Sequence, residues 1–267
     1  MTLTAMRNRL LRVLLVLLCA AMPPAISATD ATLSIAAASD LQFALKQVVR
    51  DFEAQEPGAR VHLVFGSSGK LSTQIRQGAP FDLFFSADLS YAQALVDQGL
   101  TVGGVHPYAT GRLVLWSARE NVSTLTLADL GAERYARIAI ANPRHAPYGQ
   151  RAAEAIRASG VWEAIQDRLV YGENVSQTAQ FVRSGNAQVG IVALSLVLDP
   201  ALEDIGSHAL IPQTLHQPLE QGHVLLRRAA SKPVAQRFLR HLEGPAARAI
   251  LAAYGFEIQG RQEDAER

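Results

Sequence analysis

Of 267 residues only Cys19 is a cysteine, and it lies in an apolar stretch near the N-terminus, so the rest of the chain can build neither a disulfide nor a thiolate metal site. Charge of one sign is also scarce. Lys and Arg number 25 against 24 Asp and Glu, a formal net charge of +1, and no block of Lys or Arg offers a surface for nucleic acid. Beyond the first residues there is no long apolar run, which excludes a membrane span. Repeats and low-complexity linkers are lacking too. No second His or Cys stands at ligand spacing from His145, so direct metal coordination is not expected, and nothing calls for a cofactor.

The N-terminus reads as an address. Arg7, Arg9 and Arg12 precede the run Leu14-Leu15-Val16-Leu17-Leu18, followed by Pro23, Pro24 and small residues up to Ala28. That order is a secretory signal peptide over 1–28, too short and too flanked by breakers to span a membrane. Bulky Leu17 and Leu18 argue against a lipoprotein reading of Cys19. The protein is therefore expected outside the cytoplasm. Gln262 to Arg267 reads as a polar tail.

The remaining chain, 49% hydrophobic in the full sequence, is long enough for two compact lobes. Leu33 to Ala38 is a run of small apolar residues suited to a strand covered on both faces. After Asp40 the period changes, and Leu41, Leu45, Val48 and Phe52 mark one helical stripe. Strands at 61–65 and 82–86 alternate with helices at 71–77 and 91–98, which predicts a mostly parallel sheet with right-handed crossovers. Gly104 to Tyr108 breaks the pattern, and a second α/β unit follows. Its strands are expected at 112–117, 138–141, 169–171 and 189–194, and its helices at 151–159 and 176–184. A polar segment from Pro212 to Gly222, a strand at 224–228 and helices within 233–253 close the chain. The expected organisation is 29–107 with 222–262 as one lobe, 108–221 as the other, and 263–267 as the tail.

Ligands of open α/β sheets sit beyond the carboxyl ends of strands, where helices begin and unpaired N–H groups gather. Four such joints stand out: Ser39-Asp40, Gly66 to Lys70, Pro147-Tyr148-Gly149, and Asn174-Val175-Ser176. The first two fall in one lobe and the last two in the other. A ligand gripped from both sides would hold the cleft shut.

These stretches resemble the periplasmic molybdate-binding proteins of ABC transporters. The resemblance runs through Ala36-Ala37-Ala38-Ser39, Phe65-Gly66-Ser67-Ser68, Asn142-Pro143 to Pro147, Gly190-Ile191-Val192 and Tyr254-Gly255-Phe256. It is most specific at Gly78-Ala79-Pro80-Phe81-Asp82-Leu83-Phe84-Phe85-Ser86-Ala87-Asp88. It implies a two-lobed periplasmic binding protein fold, molybdate and tungstate as ligands, a membrane permease as partner, and a monomer in the periplasm. Ser39 and Ser68 match the oxyanion-binding hydroxyls, Val175 a backbone donor at a helix start, and position 148 another donor. One branch of the family carries a small residue there and a tyrosine later. This chain has Tyr148 and then Ala193, and looks like a branch whose tyrosine donates from the other side.

A dianion loses its hydration on entering such a cleft, and neutral donors contribute about 1.5 to 3 kcal/mol each when the partner is charged. Hydroxyls and amides can therefore hold it without Lys or Arg. Asp40 joins the candidate site on two open readings, a contact with the ligand or a helix cap with its carboxylate turned away. Ser67 reads as shaping its turn, Tyr148 as a donor or as packing in its turn, and Lys70, Arg144 and His145 as exposed. Trp116 and Trp162 read as core. Two alternatives remain: a phosphate- or sulfate-binding protein of the same fold, and a serine acyl-enzyme using Ser67-x-x-Lys70. The enzyme lacks its companion Lys-Thr-Gly and Ser-Asp-Asn strings, and the same turn fits neither a phosphate loop nor a Gly-x-Ser-x-Gly elbow.

Overall fold

The computed structural model describes residues 31–202 and 205–258, so the signal peptide expected over 1–28, Cys19 and the tail at 263–267 lie outside the described residues. Strand β1 (Thr32–Ala38) pairs in parallel with β2 (Arg60–Gly66) and β3 (Leu83–Ser86), matching Ile35 to Leu63 and to Leu83. Its side chains alternate between two cores. Leu33, Ile35 and Ala37 join Leu83 and Phe85 on one face, while Ala36 joins Phe84 on the other. Helix α1 (Gln42–Gln55) covers the first face with Leu45, Val48 and Phe52, which with Leu41 just before the helix are the stripe expected from the spacing, joined by Ala44, and helices α2 (Ser68–Arg76) and α3 (Leu89–Asp97) cover the second.

The first sheet is completed from elsewhere in the chain. Strand β4 (Thr101–Gly111) leads by way of Arg112 alone into β5 (Leu113–Ser117), which belongs to the second sheet. That sheet is filled by β6 (Ile138–Ala141), β7 (Leu169–Gly172), β8 (Val189–Ala193) and β9 (Ser207–Leu210), in the order β7-β6-β8-β5-β9. Its helices are α4 (Pro147–Ala158), α5 (Trp162–Ile165), α6 (Val175–Ser184) and the short α7 (Leu194–Val197). The chain then returns through β10 (Leu219–Leu226), and β11 (Glu257–Ile258) ends a first sheet ordered β11-β4-β10-β3-β1-β2. Helices α8 (Pro233–Glu243) and α9 (Pro245–Ala253) pack back on α1, where Phe238 meets the Phe52 ring edge to face at 5.2 Å. Trp116 is core, as expected, at 2% exposure, and Trp162 is partly buried against the same cluster.

Two expectations change. The sheets are mixed rather than mostly parallel, because β5 and β10 enter right after the chain crosses between sheets and so run against their neighbours. The stretch Gly104 to Tyr108 is no break: it lies within β4, which continues past residue 107. Its partner β10 is remote in sequence and already begins at Leu219. Register shifts between Gln221 and Gly222 and between His223 and Leu225 absorb the irregular, glycine-bearing stretch. Among the described residues, no helix is long and apolar enough to cross a membrane.

Candidate functional site

Four helical starts converge between the sheets: the 3-10 turn Ser39–Leu41 that leads into α1, and the first turns of α2, α4 and α6. They enclose a small cavity whose wall includes Ser39, Asp40, Ser68, Tyr148 and Val175, so all five residues singled out in the sequence meet at one place. The first-turn amides of each helix have no partner within it, and the dipoles place partial positive charge there. Among the described residues, no Lys, Arg or His lines the cavity.

The two serines are set as donors. Ser68 Oγ accepts the Ala87 amide at 3.0 Å, and Ser39 Oγ accepts the Ser176 amide at 3.4 Å. With an acceptor position engaged on each, the hydroxyl hydrogens are left to turn towards a guest. Pro147 at the first position of α4 has no N–H to leave unpaired, and the Asn174 side chain caps α6 by accepting from Gln177 N at 3.0 Å.

Asp40 does not cap its helix. The N-cap of its turn is Ala38, and the Asp40 carboxylate, 1% exposed, points inward, because Gln221 Nε2 donates to its Oδ2 at 2.6 Å. Its Oδ1 has no hydrogen-bond partner. Burial pushes this carboxyl up to about 6, against the lowering effect of Gln221 and then of Tyr148, whose hydroxyl faces it. Burial and the nearby Asp40 charge hold the Tyr148 phenol well above its ordinary range. Gln221 is oriented from behind: Tyr108 donates to its Oε1 at 2.7 Å, while its Nε2 also donates to the Tyr148 hydroxyl at 3.3 Å.

Sequence reasoning missed Gln221, Tyr108 and Gly111. Gln221 lies in a stretch that reads as a polar segment yet is fully buried in β10. A Cβ at Gly111 would stand 2.1 Å from the Tyr148 hydroxyl oxygen and 2.8 Å from Gln221 Nε2, so only glycine leaves room for this cluster. His145 is not a free surface residue either. It is partly buried, its Nδ1 lies 2.9 Å from Ser67 Oγ, and its carbonyl accepts the Gly69 amide at 2.9 Å. Ser67 thus lines the cavity and ties α2 to the loop before α4. Lys70 and Arg144 are exposed, as expected, and Lys70 pairs with Glu173. Both members of Ser67-x-x-Lys70 are therefore engaged with other groups.

Further contacts hold the halves together around the cavity. Ser195 of α7 donates to the Asp40 carbonyl at 2.7 Å, Ser176 donates to Gln42 Oε1 at 2.5 Å, and Arg151 of α4 pairs with Asp88 at 2.8 Å.

The model of the family described as bacterial extracellular solute-binding protein matches residues 33–257. This chain belongs to that family. Among its relatives, the molybdate-binding protein ModA of Azotobacter vinelandii is 36% identical over 88% of this chain and 93% of its own length. That of Rhodobacter capsulatus is 40% identical over 76% and 79%. The solved periplasmic molybdate-binding protein of Azotobacter vinelandii superposes with a TM-score of 0.81 at 33% identity, covering 85% of this chain and all of that one. Like other solute-binding proteins of two α/β lobes, this one places its cavity between its two sheets, at helix starts contributed from both.

Proposed function

We propose that this solute-binding protein captures molybdate, and tungstate with it, in the periplasm and delivers it as a monomer to the membrane permease of an ABC importer. It is exported by the leader at 1–28 and acts as a binding protein, not as an enzyme. The lobes of this reading are 29–107 with 222–262 and 108–221, the chain crossing between the two sheets near those bounds, at Arg112 and at 211–218. The observation that carries it is the set of uncharged donors: hydroxyls of Ser39 and Ser68 with their acceptor sides occupied, amides of Tyr148 and Val175 at helix starts, and, among the described residues, no cation on the wall. Such donors suit an ion that is fully deprotonated at neutral pH. Each contributes about 1.5 to 3 kcal/mol, enough in sum to replace the lost hydration. The molybdate-binding relatives, aligned over most of the chain, support the choice of ion.

Calorimetry against molybdate, tungstate, sulfate and phosphate tests it. Tight binding of the first two with weak binding of the others is expected, since a cage of fixed radius makes imperfect contacts with the smaller sulfate. Tight phosphate binding would overturn the choice. Ser68→Ala should weaken molybdate by about 1 to 3 kcal/mol, through loss of one donor to a charged guest. An unchanged affinity would remove Ser68 from the cage.

A further inference from the structure

Asp40 is the charged side chain on the wall of a cavity read as an anion site, and it is almost fully buried. Around it stand Tyr148 of α4, Tyr108 of β4 and Gln221 of β10. Ser195 of α7 bonds its carbonyl, and Val175 and Ser176 begin the adjoining helix α6. None of these groups carries a positive charge. Asp40 Oδ1 is buried with no hydrogen-bond partner of its own, although the Tyr148 hydroxyl faces the carboxylate. A doubly negative guest beside a buried carboxylate that has no cation near it is strongly unfavourable unless one of the two charges is removed. Molybdate stays deprotonated near neutral pH, so the proton has to go to the protein. In the empty cavity burial, working against the hydrogen bonds from Gln221 and then Tyr148, brings Asp40 to about 6, close enough to neutrality for a neighbouring dianion to carry it past.

We propose that Asp40 takes up one proton when an oxyanion enters the cavity, and that the hydroxyl formed at Oδ1 donates to an oxygen of that anion. This rests on the reading of the cavity as an oxyanion site. The proton comes from solvent, one O–H bond forms on Asp40, and the anion itself stays unprotonated. The unpaired acceptor becomes a donor, the like charge disappears, and Oδ2 keeps its bond from Gln221. Capture is thereby linked to pH. Affinity rises as pH falls between the bound and free pKa values, by about tenfold per unit, because binding consumes a proton over that interval.

Calorimetric titration of the protein with sodium molybdate at pH 7.5, in two buffers of different ionisation enthalpy, counts the protons directly. About one proton taken up per anion is expected, with affinity climbing as the pH is lowered from 8.5 to 6.5. Asp40→Asn should take up none and bind with a flat pH profile. Zero uptake by the native protein overturns the proposal. So does uptake that survives in Asp40→Asn but vanishes in His145→Gln, which would assign the proton to the histidine beside Ser67. Should Asp40→Asn fail to fold, the native protein and His145→Gln still decide. Molybdate binding without uptake defeats this inference alone, whereas no molybdate binding at any pH defeats the oxyanion reading beneath it.

Discussion

At the scale of single residues, the cage depends on atoms that are absent as much as on those present. Gly111 has no side chain where the Tyr148 hydroxyl comes close, and a methyl group there would meet that oxygen at 2.1 Å. Gly111→Ala is therefore expected to displace Tyr148 and destabilise the protein by about 1 to 3 kcal/mol, the usual range for an overpacked site. Adding Tyr148→Phe removes the clashing oxygen, so the double variant should recover part of the stability lost by Gly111→Ala alone. Urea denaturation of the two variants checks this, and equal losses would place the clash elsewhere. The hydroxyls follow the same logic of prior engagement. Because Ala87 N already occupies an acceptor position on Ser68 Oγ, the serine is held as a donor before any guest arrives.

Among elements, the helix starts do most to shape the site, and how near they come to the strand ends decides its size. Helix α4 approaches β6 so closely that a Cβ on Gly149 would lie 2.1 Å from the Ala141 carbonyl oxygen. A backbone atom cannot rotate aside as a side chain can. Gly149→Ala should thus destabilise the protein by about 2 kcal/mol or more, although alanine favours a helix over glycine by about 1 kcal/mol in an open position. Thermal denaturation reads the sign, and a stabilised variant would refute the close approach. In α2 the fit is similar, since a Cβ on Gly69 would stand 2.8 Å from the His145 carbonyl. Small residues at these two starts let helices from different sheets deliver their N–H groups to one point.

For the whole molecule, buried ionisable groups tie stability to pH. His223, nearly fully buried in β10 with its Nδ1 unpartnered, is lowered to about 3, by burial first and then by His106. Its ordinary value is 6.5. The unfolded chain therefore takes a proton below about pH 6.5 that the folded chain refuses until about 3, and stability drains away across that interval. Asp40 acts in the opposite sense. Its raised value means that the folded form holds a proton which the unfolded chain gives up, so acidification from about 6 to 3.8 relieves strain. His223→Gln is expected to flatten the loss of stability between pH 6.5 and 4, measured by urea unfolding at each pH. A slope as steep as that of the native protein would assign the acid sensitivity to other groups.

The local pattern was legible from the chain alone: the buried strand Leu33 to Ala38, the stripe Leu41, Leu45, Val48 and Phe52, and the small-residue turns at which helices begin. Such features follow from periodicity and backbone chemistry, which act between near neighbours. Tertiary structure decided what near neighbours cannot express. Gln221 approaches Asp40 across 181 positions, Tyr108 meets Gln221 across 113, and both come from strands that the sequence alone renders as a polar segment and a break in the pattern. Asp40 could be placed at a helix start by its position in the chain. Only the folding of β4 and β10 beside it turned its carboxylate inward and left one oxygen without a partner.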